Sequence, residues 1–320
     1  MNDKTQSESM RGKRCLITGT TGGIGAAAAR ELAQRGASIT IVGRNAAKAD
    51  QVIAAIRRER PGAEVEFLQA DLSLQRENRR LADEVRRRCA RVDVLINNVG
   101  AMYALRRESE ERMEMTLALN HIGPFLLTTL LLDVLKRSGP ARIVNVSSEA
   151  HRDVKGFDFD DPEAREGKRA RRYGTSELKS LGYSVLVPWK HPGFEQYAMS
   201  KLANLLFTRE LARRLAGSGV TVNALHPGFV RSEFMAGNGS LGWFLRLWSS
   251  LFGITPEEGA GTVVYLASSP EVAGVSGKYF VKERETEPTK AAQDDAAARR
   301  LWEMSEAWCN DRQRAANGMA

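Results

Sequence analysis

The sequence predicts an α/β fold: a single doubly wound parallel sheet with helices on both faces, plus an insertion. Three observations lead to this prediction. Short apolar strands run without polar alternation, helical stretches separate them, and a glycine-rich turn joins the first strand to the first helix. Continuous apolar strands are typical of parallel sheets covered on both faces. Such sheets bind ligands at the carboxyl ends of their strands.

Each predicted strand is a short run rich in apolar residues. The predicted strands are 14–20, 38–43, 64–71, 92–100, 141–148 and 219–228. The first helix, 26–36, ends at Gly36 in the position that glycine favours after a helix. The next helix is ended by Pro61 and Gly62.

Two segments interrupt the alternation directly after strands, so we expect both at the ligand edge of the sheet. The predicted organisation is a flexible tail at 1–11, a catalytic domain at 12–285 and a helical extension at 286–320. Within the domain, an insertion covers about 150–194, and a substrate lid covers about 229–258.

The chain is basic, with 47 Lys and Arg against 39 Asp and Glu, a formal net charge of +8. Such a balance favours a polyanionic partner: nucleic acid, acidic lipid or a phosphorylated ligand. The basic runs at 57–60, 86–88 and 168–172 are short, and no aromatic residues alternate with them. They are typical of solvated helix faces, and no nucleic-acid partner is predicted.

The cysteines Cys15, Cys89 and Cys309 lie far apart, in no metal-binding or disulfide spacing. A reducing, cytoplasmic location is therefore expected. The N-terminus is polar and lacks the apolar region of a signal peptide. The longest apolar run, 125–135, is too short to span a bilayer and contains Asp133. We expect a soluble or membrane-peripheral protein that needs no metal.

The turn "TGTTGGIG" (18–25) lies between the first strand and the first helix. Glycines let the backbone approach a pyrophosphate, and the helix N-terminus supplies unpaired N–H groups. The turn therefore predicts a dinucleotide site. Its candidate contact residues are Gly19, Thr21, Gly22, Gly23, Ile24 and Gly25.

Further motifs follow this turn in a fixed order. They are "NNVG" (97–100), Asn120, "NVSS" (145–148), "YAMSK" (197–201) and "HPG" (226–228). With them the sequence resembles the short-chain dehydrogenase/reductase family, and "NVSSEAH" and "SKLANLLFTRELARRL" resemble its retinol-dehydrogenase branch. The resemblance covers 12–282. It implies a Rossmann-type fold, a nicotinamide dinucleotide cofactor and hydride transfer between that cofactor and a carbonyl carbon.

The end of the second strand bears on the choice of cofactor. Gly43 stands where an acid would hold the ribose diol of NAD, and Arg44 follows it. A guanidinium can clamp a 2′-phosphate, so NADP(H) is favoured over NAD(H). The other basic site common in the family is Gly22 here, so one of two phosphate contacts is missing. A plain surface arginine is the alternative for Arg44.

The resemblance also implies contacts along the rest of the cofactor. Asp71 and Leu72 are expected to border the adenine, and Asn98 and Val99 to line the adenosine ribose. The residues expected near the nicotinamide are Pro227, Gly228 and the backbone of Val230.

The chemistry is predicted at Tyr197 and Lys201, which lie on one face of a helix. A free tyrosine has a pKa of about 10. A neighbouring ammonium and a cationic nicotinamide favour the phenolate, and general acid–base groups work best with a pKa close to the working pH. The resemblance implies that Tyr197 transfers the proton, and that Lys201 lowers its pKa and holds the nicotinamide ribose.

The resemblance implies two more site residues. Ser148 orients the substrate oxygen, with Ser147 as the competing choice, and Asn120 holds a water against the lysine. His121 and His226 lie in parts of these motifs that the family uses for its framework or for cofactor contact. Both are predicted to be structural.

One departure from the family concerns spacing. Tyr197 follows Ser148 by 49 positions, far more than the family uses. The intervening insertion is expected to loop out over the mouth of the active site. A lid, a dimer arm and an inert surface excursion remain open as its role.

The segment 240–254 carries a stripe of large apolar residues at helical spacing. They are Trp243, Phe244, Leu247, Trp248, Leu251 and Phe252. The stripe predicts a lipophilic aldehyde, ketone or alcohol as substrate. A lid packed on the domain and a peripheral membrane contact beside Arg246 are the alternatives.

The leading hypothesis is thus an NADP(H)-dependent oxidoreductase. A catalytically silent dinucleotide sensor is the alternative from another class, although its usual hallmark, loss of the tyrosine or lysine, is not found. A homodimer through the two long helices near Asn120 and Tyr197 is a further open possibility.

Overall fold

The computed structural model describes residues 9–166, 192–230 and 253–318. The predicted insertion therefore lies partly outside the described residues, at 167–191, as does most of the predicted lid, at 231–252. All six apolar residues of the predicted stripe fall in that second gap.

The described strands form one eight-stranded sheet in the order β3-β2-β1-β4-β5-β6-β7-β8. They are β1 Arg14–Thr18, β2 Ser38–Gly43, β3 Val65–Gln69, β4 Val94–Asn97, β5 Ala141–Val146, β6 Val220–His226, β7 Tyr279–Val281 and β8 Arg284–Glu285. All neighbours pair in parallel except β7 and β8. Since β1 lies between β2 and β4, the strand order reverses there, and a crevice opens at that point.

The long helices in the described part of the chain cover both faces of the sheet. They are α1 Gly23–Gln34, α2 Ala46–Glu59, α3 Gln75–Arg88, α4 Gly123–Arg137, α5 Pro192–Arg214, α6 Pro256–Ser268 and α7 Asp295–Gly318. A short helical turn, Met115–Leu117, and a π turn, Ala118–Ile122, lead into α4.

The sheet separates two apolar cores, and β1 shows how. Cys15 and Ile17 face the core that contains α1 and α6, while Leu16 faces the core that contains α3, α4, α5 and α7. Each of the three side chains is at most 1% exposed. The strand is apolar on both faces because both faces are buried, and the predicted doubly wound α/β fold is confirmed.

The C-terminal helix α7 is part of the larger core. The ring of Trp302 contacts Phe125 of α4 at 4.9 Å and Phe207 of α5 at 5.9 Å between centroids. Leu301 is 1% exposed. The predicted C-terminal extension is therefore packed along α5 and contacts the start of α4.

One described stretch, Met115–Arg137, is long and apolar enough to cross a membrane by length and composition alone. Within the fold, 78% of its most apolar 18-residue window is buried. A core helix of a soluble protein has the same properties, and α4 lies in the core.

Candidate active site

The glycine turn after β1 is packed against the loop that follows β4. Gly19 has a φ of +70°, and a Cβ there would lie 2.9 Å from the Asn98 side chain and from the Val99 Cα. A Cβ on Gly25 would collide with the Gly19 carbonyl. The Asn98 amide donates to the carbonyls of Thr18 and Gly19 at 2.9 and 3.0 Å. These glycines are required by close packing, which fixes the shape of the turn.

The first turn of α1 fits a pyrophosphate. The helix begins at Gly23 without a side-chain cap from the described residues, and its first turn contains no acidic residue. Its N–H groups and partial positive charge are thus directed at the crevice. Gly22, just before it, has extended backbone (φ 165°), and no atom of the described chain lies within 4 Å of where its Cβ would be. Thr21 packs on Gly43, where a Cβ would lie 2.7 Å from the Thr21 methyl group.

Arg44 and Asp71 meet at the other end of the crevice. The Arg44 guanidinium lies 3.3 Å from an Asp71 carboxylate oxygen, with 63% of the arginine side chain exposed. The other Asp71 oxygen accepts from the N–H and hydroxyl of Ser73 at 3.0 and 2.7 Å. Leu72 is 3% exposed and packs in the larger core. Of Arg44, Asp71 and Leu72, the first two therefore have polar side chains that a nucleotide can contact.

Ser148 and Tyr197 come together despite the 49 positions between them. Ser148 follows β5, Tyr197 lies on α5, and the serine side chain lies close enough to the phenol to lower the pKa of Tyr197. The competing Ser147 is 2% exposed, and its hydroxyl donates to the Lys201 carbonyl at 2.8 Å. Of the two serines, Ser148 therefore faces the phenol.

Lys201 lies one helical turn beyond the tyrosine. Its ammonium donates to the Val146 carbonyl at 3.0 Å and lies 5.5 Å from the centroid of the Tyr197 ring. Burial lowers the pKa of Lys201 to about 8. Burial also raises the pKa of Tyr197 to about 12, and the Ser148 side chain offsets this only in part.

In the protein groups alone, burial outweighs any lowering of the Tyr197 pKa; the predicted lowering, which included a cationic nicotinamide as well as Lys201, stays a prediction. Each ionisable group has left water, and desolvation disfavours the charged form of both. The lysine directs its ammonium to a main-chain carbonyl, so it gives the phenolate little compensation.

Asn120 lies in the π turn before α4 and links two parts of the site. Its amide accepts from the Ala101 N–H and donates to the Ala101 carbonyl, both at 2.9 Å. It also donates to the Ser200 hydroxyl at 2.9 Å, and Ser200 donates to the Tyr197 carbonyl at 2.7 Å. Since protein groups engage both ends of its amide, Asn120 ties the loop after β4 to the tyrosine helix.

The segment after β6 closes the crevice next to the glycine turn. Gly228 has a φ of +92°, and a Cβ there would lie 2.6 Å from the Ile254 side chain. Val230 pairs with Ile254 in a parallel bridge. Val230 and Ile24 both approach Gly259 of α6, at 2.6 and 3.3 Å from its Cβ position. The segment after β6 and the glycine turn therefore both pack against Gly259.

The carboxyl ends of β1 to β6 and the flanking helices bring the predicted site residues to one edge of the sheet. These residues are Gly19, Thr21, Gly22, Gly23, Ile24, Gly25, Arg44, Asp71, Leu72, Asn98, Asn120, Ser148, Tyr197, Lys201, Pro227, Gly228 and Val230.

Apolar side chains surround the phenol. Tyr197 is 9% exposed and packs with Met102 and Ala150, and Val154 and Phe194 complete this small cluster. Phe229, in the segment that follows β6, is 55% exposed. The surroundings of the tyrosine are thus apolar.

The described start of the insertion is anchored beside the site. The Glu163 carboxylate accepts from the Glu114 N–H at 2.9 Å, and the Glu163 carbonyl accepts from Arg106 at 3.1 Å. The Gln196 amide donates to Glu114 at 2.9 Å and to the Pro162 carbonyl at 3.0 Å. Glu114 is fully buried, and it caps the helical turn before the π turn. Sequence reasoning missed Glu114, whose only signal was an acid before an apolar helix.

Family models match two parts of the chain: "short chain dehydrogenase" over residues 13–157 and "Enoyl-(Acyl carrier protein) reductase" over 181–282. Retinol dehydrogenase 14 of Homo sapiens is 40% identical and aligns with 93% of this chain and 86% of its own length. Retinol dehydrogenase 13 of Homo sapiens is also 40% identical, over 92% and 83%. A solved structure from Mycobacterium paratuberculosis, of an uncharacterized protein, is 29% identical with a TM-score of 0.69 and covers 94% of each chain. The chain belongs to the short-chain dehydrogenase/reductase family.

Within that family it belongs to the retinol-dehydrogenase-like branch. It is an oxidoreductase that acts on the CH–OH group of donors and uses NAD(P). The predicted family, fold class and reaction class are confirmed.

Proposed function

We propose that the protein interconverts a lipophilic aldehyde or ketone and its alcohol with NADP(H), using Tyr197 as the general acid and base. The observation that carries the proposal is the proximity of the Ser148 side chain to the Tyr197 phenol, despite the 49 positions between them. Two neighbouring hydroxyl groups can bind one substrate oxygen. The Lys201 ammonium lies behind the phenol ring.

A nicotinamide bound in the crevice would supply the hydride chemistry: hydride to the carbonyl carbon in reduction, and hydride from the alcohol carbon in oxidation. In reduction, Tyr197 gives its proton to the substrate oxygen, and the raised pKa keeps the phenol in the protonated form that this step needs. Ser148 donates a second hydrogen bond to the same oxygen as negative charge develops there. In oxidation, Tyr197 accepts the proton, and a positive charge on the nicotinamide ring lowers its pKa. Asn120 positions the tyrosine helix through Ser200.

The preference for NADP(H) follows from the adenosine end of the crevice. Gly43 offers no carboxylate to a ribose diol, and Arg44 follows it with 63% of its side chain exposed. Asp71 holds the guanidinium at the crevice, 3.3 Å away. A 2′-phosphate placed there gains a charge-assisted hydrogen bond.

A lipophilic substrate is supported by the apolar side chains beside the phenol, Met102, Val154 and Phe194. The retinol dehydrogenases to which the chain is similar are named for a lipophilic alcohol. We extend the same reasoning to location: a cytoplasmic protein whose segment 240–254 rests on a membrane surface can take such a substrate from the bilayer.

The test is a panel of retinoid, steroid, aryl and medium-chain aldehydes and ketones, with NADPH and with NADH, followed at the nicotinamide absorbance. Tyr197→Phe is expected to lower kcat by about 10²–10⁴-fold, because general acid–base catalysis is lost. Cofactor affinity, measured by fluorescence titration, is expected to stay unchanged. Tyr265→Phe is the matched control, since that phenol lies on α6 and donates to Glu271 at 3.0 Å. Full turnover by Tyr197→Phe would refute the mechanism.

Cofactor choice is tested separately with Arg44→Asp. This change is expected to weaken NADPH binding far more than NADH binding, because it replaces a cation by an anion beside the 2′-phosphate. Equal weakening of both cofactors would remove Arg44 from its proposed role.

A further inference from the structure

The peptide group between Ser148 and Glu149 is held by two histidine side chains. Its carbonyl, from Ser148, accepts a hydrogen bond from the Nδ1 of His151 at 2.7 Å. Its N–H, from Glu149, donates to the Nδ1 of His226 at 3.3 Å. His151 lies in the 3₁₀ turn Glu149–Asp153 after β5, and His226 ends β6. Both polar atoms of one peptide group are therefore bound by imidazoles from neighbouring strand ends.

These contacts fix the tautomer of each ring. A carbonyl can only accept, so His151 carries its proton on Nδ1. Its Nε2 then accepts from the Thr289 N–H at 3.4 Å. His226 receives an N–H at Nδ1, so its own proton is on Nε2. Both rings are neutral in this arrangement, and a second proton on His226 would set one N–H against another.

The surroundings hold the arrangement in place. His151 is fully buried, and its ring packs edge-on against Tyr279 at 5.2 Å between centroids. The Tyr279 hydroxyl donates to Glu149 at 2.7 Å, and Arg152 pairs with the same carboxylate at 2.5 Å. β7, which carries Tyr279, thus supports the segment that carries Ser148.

We propose that His226 and His151 are positioning residues: they fix the Ser148–Glu149 peptide and so aim the Ser148 hydroxyl at the substrate oxygen beside Tyr197. This inference rests on the proposed function, because the task it assigns is to place Ser148. The hydroxyl of Ser148 also accepts from the Ala150 N–H at 3.2 Å, so its direction depends on the following backbone. A rotation of the peptide group would move the hydroxyl, and a misplacement of about 1 Å can lower a rate by roughly 10²-fold.

The arrangement predicts that kcat falls at acidic pH, so that its pH profile has an acid limb. The charged and titratable groups that face the two rings are Glu149, Arg152, Asp153, Tyr279 and Lys201. Burial is the largest cause that lowers the pKa of both imidazoles, so the neutral rings persist below the usual range of histidine. Since kcat reports on the folded enzyme, the contacts persist below the ordinary histidine pKa of about 6.5 and are lost only as the pH falls through the lower folded value.

Two substitutions of His226 separate positioning from packing. His226→Asn keeps an acceptor, Oδ1, close to the place of Nδ1 and does not titrate, whereas His226→Leu has no acceptor. We expect His226→Leu to lower kcat by about 10²-fold with unchanged cofactor affinity. His226→Asn is expected to retain most of kcat and to lose the acid limb that His226 contributes. His151→Asn, which keeps an N–H donor, and His151→Leu form the parallel pair.

The measurements are kcat between about pH 5 and 8, cofactor affinity and Tm for each variant. His121→Gln is the control for the loss of a buried histidine, because His121 bonds Ser305 through Nε2 at 2.8 Å. It is expected to lower Tm and to leave the pH profile of kcat unchanged.

Three results would overturn the inference. The first is an equal loss of kcat in His226→Asn and His226→Leu, and the second is full activity in both. The third is an unchanged acid limb in His226→Asn. The third result does not depend on the folding of the leucine variant. Turnover by Tyr197→Phe would instead refute the proposed function. An inactive Tyr197→Phe beside a fully active His226→Leu would refute the positioning role alone.

Discussion

At the scale of single residues, the glycines of the glycine turn (18–25) are not equivalent. Gly19 and Gly25 are needed because an added Cβ would meet Asn98 or the Gly19 carbonyl. Gly22 has extended backbone, and the described residues leave open space around its Cβ position, so a side chain fits there without strain. This position is therefore free to change cofactor preference while its neighbours are not.

We accordingly expect Gly22→Arg to strengthen NADPH binding by about 10–100-fold while NADH affinity stays nearly constant. A second guanidinium would add a charge-assisted hydrogen bond, about 1.5–3 kcal/mol, to the contact made by Arg44. Fluorescence titration with both cofactors measures the change. Gly22→Ala should bind like the wild type, and Gly25→Ala should lose both cofactors. Equal strengthening of NADH binding would contradict the idea that the 2′-phosphate lies near this turn.

The buried Lys201 predicts a pH-dependent effect on stability. Its pKa is lowered from 10.5 to about 8, so the folded state disfavours the ammonium. That penalty is complete below pH 8 and is relieved as the pH rises toward the unfolded value. Between pH 7 and 9.5, the wild type should gain about 2 kcal/mol in free energy of unfolding relative to Lys201→Met.

Urea unfolding of both proteins at the two pH values measures this difference. Lys278→Met is the matched control, because Lys278 is a half-exposed lysine paired with Glu285. A difference between wild type and Lys201→Met that does not change with pH would show that burial does not depress the lysine.

The sequence predicted which residue types take part but not how they are used. It left Ser147 and Ser148 as competitors, and the choice depends on a contact between Ser147 and the Lys201 carbonyl that no motif encodes. Burial raises the pKa of Tyr197 in the protein alone, and this contribution could not be derived from a spacing of four residues. His226 was predicted to be structural, and its ring accepts the N–H of Glu149; the motif did not show that the peptide group it holds is the one after Ser148.

At the scale of elements, the predicted strands exist, but most are shorter than predicted at their carboxyl ends. The run predicted at 92–100 is a strand only over Val94–Asn97, and that at 141–148 only over Ala141–Val146. The residues that follow each strand, such as Asn98 and Ser148, leave the sheet to form the site. The pattern could not show this because hydrophobic periodicity does not report where main-chain pairing ends.

Helix α6 begins beside the segment after β6, and its N-terminus is capped by two reciprocal hydrogen bonds. The Thr255 hydroxyl accepts from the Glu258 N–H at 3.2 Å, and the Glu258 carboxylate accepts from the Thr255 N–H at 2.7 Å. Thr255→Ala should therefore lower the free energy of unfolding by about 1 kcal/mol, while Thr255→Ser should keep the cap.

Since Ile254 precedes the cap and packs on Gly228, we also expect weaker cofactor binding in Thr255→Ala. Urea unfolding and cofactor titration of the two variants measure these effects. Equal stability of the alanine and serine variants would show that the cap does not hold this end of α6.

At the scale of the whole molecule, the C-terminal helix decides which surfaces are free. The sequence identified α4 and α5 as the two long helices through which a homodimer could form, and treated 286–320 as an extension. In the fold, α7 packs along α5, reaches the start of α4 at Phe125, and buries Trp302 against Phe125 and Phe207. Sequence reasoning missed this because a helix pattern shows an apolar stripe but not the surface that the stripe covers.

We therefore expect the wild-type protein to form no dimer through α4 and α5. The ring of Trp302 is 4% exposed, and Arg214 lies 4.2 Å above it. Trp302→Ala should lower the free energy of unfolding by about 3–5 kcal/mol, because a large buried ring is removed.

A chain that ends at residue 294 should expose the apolar faces of α4 and α5 and associate. Sedimentation velocity across protein concentration distinguishes the cases, with Trp308→Ala at a partly buried position of the same helix as the control. A wild-type dimer that dissociates when Leu130 and Leu132 of α4 are replaced by Asp would contradict this expectation, since association would then use α4 with α7 in place.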